Sequence, residues 1–152
     1  KARLLVVGSY DNVDTIDAEL FKWAQESEEV IFTGSAPSIE VPEYYSAMDV
    51  FCSLSYREGF GLVVIEAASM RLPAIVTNVP GQIDTIISGE TGLLVPAKEV
   101  EPVVNAMKYY IDNPVKLKEM GEKARFDVES KYEQRRLFEL LAGHRDAIIN
   151  QK

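Results

Sequence analysis

Short apolar segments alternate with longer amphipathic segments along most of this chain of 152 residues. The apolar segments lie at 4–7, 30–33, 50–54, 74–77 and 92–96. Strands that are separated by helices pair in parallel through right-handed crossovers, because hairpins need far shorter connections. Each segment is apolar almost throughout, which is typical of a sheet covered on both faces. The sequence therefore predicts an α/β fold, an open parallel sheet with helices on both faces.

Helix signals fill the intervals between these strands. Asp14 is the predicted N-cap of a first helix, on which Ile16, Leu20 and Trp23 recur at helical spacing. Pro42 suits the first position of a second, short helix. The other predicted helices run from about Leu62 to Met70, briefly after Gly81, and over 99–112, 115–129 and 133–150. No repeat or linker divides them, so residues 1–152 are predicted to form one domain.

The overall composition excludes several classes of protein. Apolar residues make up 47% of the chain, and the formal net charge is −8. The negative charge disfavours nucleic acid as a partner, because it repels phosphate backbones. No apolar stretch reaches about 18 residues, so no segment is predicted to span a bilayer. The single cysteine, Cys52, cannot form an internal disulfide, which fits a reducing compartment, and a cytoplasmic location is expected. The first strand begins so close to residue 1 that we expect a fragment of a longer protein.

Two glutamates, Glu58 and Glu66, flank a loop-to-helix junction after the third predicted strand. Open parallel sheets bind ligands at the carboxyl ends of their strands, where this junction is expected. The first turn of a helix exposes unpaired amides and the positive end of the helix dipole, and Gly59 and Gly61 leave room for a phosphate. Carboxylates accept hydrogen bonds from vicinal hydroxyls. The arrangement therefore suits a nucleotide sugar, in which a diphosphate separates a ribose from a sugar.

Each of these residues also has a purely structural interpretation. A glutamate near a helix start gains roughly 0.3–1 kcal/mol from the helix dipole, and glycine pairs often only turn the chain. The segment is not a dinucleotide-binding fingerprint, because Val64 stands where a third glycine is required, and no Walker-type Gly-Lys-Ser/Thr occurs. The residues alone therefore leave both interpretations open.

Further segments extend the pattern over nearly the whole chain. They are "VIFTG", "PEYYSAMDVFCSLSYREGFGLVVIEAASMRLPAIVTNVPG", "GETGLLVP" and "NPVKLKEMGEKAR". In this order, they resemble the retaining glycosyltransferases of family 4 (glycosyl transferases group 1), whose E-x7-E motif matches Glu58 and Glu66. The resemblance implies the Rossmann-like, C-terminal, nucleotide-sugar-binding half of a GT-B fold, followed by C-terminal helices.

The resemblance also implies roles for individual residues. Glu58 corresponds to the glutamate that contacts the donor sugar near the anomeric centre, and it is the predicted catalytic residue. Glu66 corresponds to the glutamate that holds the ribose hydroxyls. The other predicted substrate-binding residues are Gly59, Phe60, Gly61, Leu62 and Val63, with the amides of the last three at the diphosphate, and Ser35 and Ala36 near the base. No metal or other cofactor is implied, and the implied substrate is a UDP-sugar or a GDP-sugar.

In full-length family members, the acceptor is bound mainly by an N-terminal domain. Their diphosphate-binding arginine and lysine lie upstream of the strand that opens this chain. We therefore expect these 152 residues alone to bind a donor weakly and to transfer no sugar. The implied function of the full-length protein is sugar transfer to a hydroxyl acceptor, in cell-surface polysaccharide or glycolipid synthesis and with peripheral membrane association.

The chain departs from the family pattern at two turns. Arg71 stands where a glycine often precedes the proline of the next strand, so a left-handed turn there would be strained. The loop that often reads Gly-Gly-Ile-Pro-Glu is Gly81-Gln82-Ile83-Asp84-Thr85, which lacks the glutamate. Three alternatives stay open: a GT-B relative such as a sugar phosphorylase or nucleotide-sugar epimerase, a non-catalytic nucleotide-sugar-binding module, and an unrelated receiver-like or flavodoxin-like domain.

Overall fold

The computed structural model describes residues 2–10 and 16–150. The chain divides into two compact units, Lys1–Met48 and Asp49–Lys152. The boundary falls between a short helix and a strand, and no linker-like composition marks it in the sequence. The assignment of residues 1–152 to one domain stays a prediction.

The described part of the first unit contains two parallel strands and two helices. Strands β1 (Leu4–Val7) and β2 (Val30–Gly34) pair in parallel, with Leu4 opposite Val30. Between them lies helix α1 (Ala18–Glu26), and helix α2 (Val41–Ser46) follows β2.

The start of α1 differs from its predicted start. The described cap is Asp17, whose side chain accepts hydrogen bonds from the amides of Glu19 and Leu20, each at 2.9 Å. Ile16 therefore precedes the helix, and Asp14, the predicted cap, lies outside the described residues. Aspartate is a favoured cap residue at either position, and including Ile16 in the apolar pattern placed the predicted start three residues too early.

The second unit contains a three-stranded parallel sheet. Its strands are β3 (Phe51–Ser53), β4 (Ala74–Thr77) and β5 (Gly92–Val95), in the order β3-β4-β5. Its described helices are α3 (Leu62–Ser69), α4 (Val100–Asp112), α5 (Pro114–Tyr132) and α6 (Gln134–Ile149), and a 3₁₀ turn lies at Ile83–Thr85.

Helices cover both faces of this sheet. On one face, Ile75 and Val95 pack with Ala106 and Tyr110 of α4 and Met120 of α5. On the other face, the core cluster contains Val64 of α3, the strand residues Ala74 and Val76, and Ile86. All residues of β4 are buried, as expected for a central strand that is covered twice.

The predicted α/β class with parallel strands is confirmed. The described strands are hydrogen-bonded in two sheets, however, and each sheet lies within one unit. Apolar patterning identifies strands but does not say which strands are neighbours, so the sequence suggested one continuous sheet. Among the described helices, none is both long and apolar enough to cross a membrane.

Candidate functional site

The predicted catalytic residue, Glu58, lies in the loop that connects β3 to α3. Its side chain turns back on its own loop, because Oε1 accepts a hydrogen bond from the Gly59 amide at 2.9 Å. Glu58 is half-buried, whereas the neighbouring Arg57 and Gly59 are exposed. The loop leaves the carboxyl end of β3, so the carboxylate lies at the predicted edge of the sheet.

Helix α3 begins after Gly61, whose lack of a side chain leaves the N-cap position without a capping group of its own. The Gly61 carbonyl accepts hydrogen bonds from the amides of Val64 at 2.9 Å and Ile65 at 3.4 Å. The Gly61 amide donates to the carbonyl of Gly81 at 3.2 Å. The Leu62 amide has no backbone acceptor among residues 2–10 and 16–150. Of the predicted diphosphate-binding amides, Gly61 is therefore engaged within the protein.

Glu66 lies on the exposed side of α3. It follows Leu62 by one helical turn, and both residues are exposed, whereas Ala67 and Ala68 are buried. The rise along the helix axis from Leu62 to Glu66 is about 6 Å. Glu66 and Leu62 therefore lie on the same face of α3, and the assignment of Glu66 to the ribose stays a prediction.

The ring of Phe60 contacts α5. Its centroid lies 5.9 Å from that of Tyr132, with an edge-to-face angle of 66°. The side chain of Phe60 therefore connects the loop before α3 to the end of α5.

The turn at Gly81 touches the Glu58 loop directly. Gly81 has a φ of +86°, and a Cβ atom there would overlap the Glu58 carbonyl oxygen and lie 2.7 Å from the Gly59 carbonyl oxygen. Only glycine combines this left-handed backbone with so close an approach. The loop that carries Glu58 is therefore shaped from outside by the turn after β4.

The next residue, Gln82, makes buried hydrogen bonds that could not be predicted from the sequence. It appeared in the sequence only as a departure from the family pattern, yet its side chain is completely buried. Its Oε1 accepts a hydrogen bond from the Thr77 amide at 3.0 Å, and its Nε2 donates to Ser53 Oγ at 2.6 Å. The sequence held only a weak signal for this contact. A glutamine follows a glycine, and two predicted strands have a hydroxyl residue at or near their ends.

Thr85 occupies the position at which the family often has a glutamate. It is buried, and its hydroxyl donates to the Gln82 carbonyl at 2.6 Å. This turn therefore presents a satisfied hydroxyl in place of a carboxylate, and Asp84 beside it is exposed.

Ser35 and Ala36 belong to the first unit, whereas Glu58 and Glu66 belong to the second. Ser35 and Ala36 directly follow β2, which ends at Gly34 with a φ of +70°. Ser35 is exposed and Ala36 is half-buried. Their assignment to the nucleotide base stays a prediction.

Among the described residues, no group of three or more His, Cys, Asp or Glu side chains is placed to hold a metal ion. The only cysteine, Cys52, packs against the core cluster on one face of the sheet, and burial raises the pKa of its thiol to about 11. A thiol with such a pKa is almost entirely protonated at neutral pH and is a weak nucleophile.

Several solved structures share the fold of this chain. Sucrose-phosphate synthase from Thermosynechococcus elongatus is 29% identical and superposes with a TM-score of 0.84 over 99% of this chain and 39% of that protein. Anabaena HepE, solved in complex with UDP-glucose, is 20% identical, with a TM-score of 0.79 over 93% of this chain and 41% of its own. The second likeness concerns the fold alone, and both agree with the predicted GT-B architecture.

Sequence relatives give the same result. The capsular polysaccharide biosynthesis glycosyltransferase CapM from Staphylococcus aureus is 31% identical over 149 residues, which are 98% of this chain and 39% of CapM. This chain thus spans well under half the length of that relative. Residues 1–127 match the family described as glycosyl transferases group 1. The chain therefore belongs to the glycosyl transferases of group 1.

Proposed function

We propose that this chain is the donor-binding part of a retaining glycosyltransferase. The full-length enzyme would transfer a sugar from a nucleoside-diphosphate sugar to a hydroxyl acceptor, in cell-surface polysaccharide or glycolipid synthesis. The family assignment supports sugar transfer, and the similarity to CapM supports a polysaccharide product.

One observation carries the assignment of the donor site. The N-cap residue of α3 is Gly61, which has no side chain; a carboxylate precedes it at Glu58, and another follows on the exposed face of the helix at Glu66. A helix start attracts an anion through its unpaired amides and its dipole. Carboxylates cannot bind the diphosphate, so they suit the hydroxyl-bearing groups on either side of it.

The proposed donor is a UDP-sugar or a GDP-sugar, and no metal cofactor is included in the proposal. HepE was solved with UDP-glucose, and a mannosyltransferase of Mycolicibacterium smegmatis that is 29% identical over 132 residues is described as GDP-mannose-dependent. Relatives with both nucleotides therefore guide the choice of ligands. Ser35 and Ala36 are the proposed contacts of the base.

The site would act mainly through electrostatics. As the bond between the anomeric carbon and the diphosphate breaks, negative charge grows on the leaving diphosphate, and the start of α3 stabilises that charge. Glu58 binds the donor sugar beside the anomeric centre, where positive charge develops, and Glu66 holds the ribose. The acceptor hydroxyl oxygen then bonds to the anomeric carbon on the face that the diphosphate leaves, and its proton passes to the departing diphosphate oxygen, so the anomeric configuration is retained.

The acceptor would be held mainly by an N-terminal domain of the full-length protein. We also propose a cytoplasmic enzyme that associates peripherally with the membrane that holds its acceptor. The net charge of −8 opposes binding of a diphosphate. The 152 residues alone are therefore expected to bind donors weakly and to transfer no sugar.

A thermal-shift screen of the full-length protein against UDP-sugars and GDP-sugars tests this proposal. A ligand at 100 times its Kd stabilises the folded state by about 2.7 kcal/mol, which is a readily measured shift. Glu66→Ala should abolish the shift that the best donor produces, because the ribose loses its acceptor.

Glu101→Ala is the matched control, since Glu101 is an exposed glutamate in the first turn of α4. It should leave the shift intact. The assignment of Glu66 to the ribose fails if Glu66→Ala gives the same shift as Glu101→Ala. The whole proposal fails if no nucleotide sugar shifts the wild-type protein.

A further inference from the structure

Gln82 connects the ends of two neighbouring strands. Its amide group bridges Ser53, the last residue of β3, and Thr77, the last residue of β4. These partners and Gln82 itself are all buried. An unpaired buried donor or acceptor costs more than a neutral hydrogen bond contributes, so this amide is strongly held in one orientation.

The same cluster reaches the loop that carries Glu58. The Thr77 hydroxyl lies 2.5 Å from the Ser55 carbonyl and 2.9 Å from Gln82 Oε1. One hydroxyl has one proton, so it donates to one of these two oxygens at a time. Because the Thr77 amide also binds Gln82 Oε1, that oxygen keeps a donor when the hydroxyl turns to Ser55. Gln82 thus binds the backbone amide of Thr77, and the hydroxyl of the same Thr77 can bind Ser55, the second residue of the loop after β3.

The backbone beside Gln82 holds the other end of the loop. Gly81 accepts the hydrogen bond from the Gly61 amide and lies directly against the carbonyl groups of Glu58 and Gly59. The side chain of Gln82 fixes the turn on the sheet, and the turn in turn fixes the position of Gly61. The Gly61 end of the segment from Ser55 to Gly61 is thus tied to this glutamine through the turn, and the Ser55 end is tied to its hydrogen-bond partner Thr77.

We propose that Gln82 is a positioning residue for the donor site. Its side chain would hold the Glu58 loop and the start of α3 in the geometry that binds the nucleoside diphosphate, without touching the ligand. This inference rests on the proposed function, since it concerns the same site. It assigns a role to a residue at which the chain departs from the usual family pattern.

The test compares Gln82→Met with Thr91→Val in the full-length protein. Methionine keeps the length and lack of branching of glutamine but removes all its hydrogen bonds. Thr91→Val also removes a buried hydrogen bond, because Thr91 Oγ1 accepts from the Ile87 amide at 2.7 Å. Thr91 precedes β5 and has no described hydrogen bond to the Glu58 loop, so it controls for a general loss of stability.

Two measurements are made on each variant. Hydrogen–deuterium exchange of the free protein reports on the segment 55–63, and calorimetry reports the affinity for UDP and for GDP. We expect Gln82→Met to raise the exchange rate in this segment about tenfold and to lower the affinity for UDP or GDP about tenfold. Thr91→Val should leave exchange in 55–63 and nucleotide affinity within about twofold of wild type. If Gln82→Met does not fold, the variant Ser53→Ala is used in its place, because it removes one hydrogen-bond partner of the Gln82 amide.

The outcomes separate this inference from the proposed function. Unchanged exchange in 55–63 would overturn the anchoring of the loop by Gln82. Faster exchange with unchanged nucleotide affinity would overturn the positioning role. If the wild-type protein binds neither UDP nor GDP, the proposed function fails together with the effect of Gln82 on binding, and the exchange data still decide whether Gln82 holds the loop.

Discussion

The two ends of helix α3 are built in different ways. At its end, the amides of Arg71 and Leu72 donate to the carbonyls of Ala68 and Ala67 at 3.0 and 3.1 Å, which is a Schellman motif. At its start, the N-cap residue is Gly61, which has no side chain, and the Gly61 amide donates to the carbonyl of Gly81. The end of the helix is therefore completed by its own chain, whereas the start depends on a distant loop.

This difference separates architecture from function within a single helix. The end of α3 satisfies its carbonyls locally and leads directly into the buried β4. The start keeps the Leu62 amide without a backbone acceptor among the described residues. In the same unit, the cap residue Glu133 of α6 accepts from the amides of Arg135 and Arg136 at 3.0 and 2.8 Å, whereas the cap residues of α4 and α5 make no such bond. A start without a cap is open to an external anion.

The largest expected effect on stability comes from substituting two glycines, one packed against each end of α3. A Cβ atom at Gly121 of α5 would overlap the Arg71 carbonyl oxygen, and one at Gly81 would overlap the Glu58 carbonyl oxygen. We expect Gly121→Ala to lower the free energy of unfolding by about 2 kcal/mol or more through overpacking. Gly81→Ala should lower it by about 3 kcal/mol or more, because its left-handed backbone adds strain. Urea denaturation of the full-length protein measures both changes.

The two variants should differ in ligand binding. Under conditions in which both remain folded, Gly81→Ala is expected to weaken binding of UDP or GDP, and Gly121→Ala is not. Gly143→Ala is the control, because no heavy atom lies within 4 Å of the added Cβ and alanine favours the helix α6. Equal nucleotide affinity in Gly81→Ala and Gly121→Ala would remove the functional distinction between the two ends of α3.

A smaller effect is expected at the aromatic contact before the start of α3. Phe60 and Tyr132 form an edge-to-face pair with centroids 5.9 Å apart. A double-mutant cycle of Phe60→Leu and Tyr132→Leu should give a coupling energy of about 0.5–1.5 kcal/mol in the free energy of unfolding. Additive effects of the two substitutions would show that the pair does not hold the loop to α5.

The bounds of α3 could be predicted from the sequence, because local signals mark both of them. Glycines precede Leu62, and Pro73 follows the end of the helix and begins the next strand. The possible strain at Arg71 was also evident, since a glycine is common in such a turn, and Arg71 indeed has a φ of +64°. These features depend on neighbours in the chain, which a sequence displays directly.

The partners of the start of α3 could not be predicted in this way. The hydrogen bond from Gly61 to Gly81 and the bridge from Gln82 to Ser53 join residues that are far apart in sequence. Composition and periodicity carry no information about such pairs. The same limit explains why the pairing of strands into two sheets was missed, although each strand was located correctly.

The smallest effect is expected at the end of α3, where Arg71 can be replaced by glycine. A left-handed residue other than glycine costs roughly 1–2 kcal/mol, and glycine recovers part of this but gains freedom in the unfolded chain. Arg71 also pairs with Glu122, with 3.0 Å between Nε and Oε2, but both side chains are about half exposed and such pairs contribute roughly 0–1 kcal/mol. Arg71→Gly should therefore raise the free energy of unfolding by only about 0.5 kcal/mol.

Arg71→Ala separates the two contributions to this change. It removes the ion pair but keeps a side chain in the left-handed turn, so it should be less stable than Arg71→Gly by about 1 kcal/mol in urea denaturation. Neither variant should change the affinity for UDP or GDP, because the end of α3 is satisfied within the chain. A weaker nucleotide affinity in Arg71→Gly would mean that the end of α3 also acts on the donor site, and the contrast between the two ends would be lost.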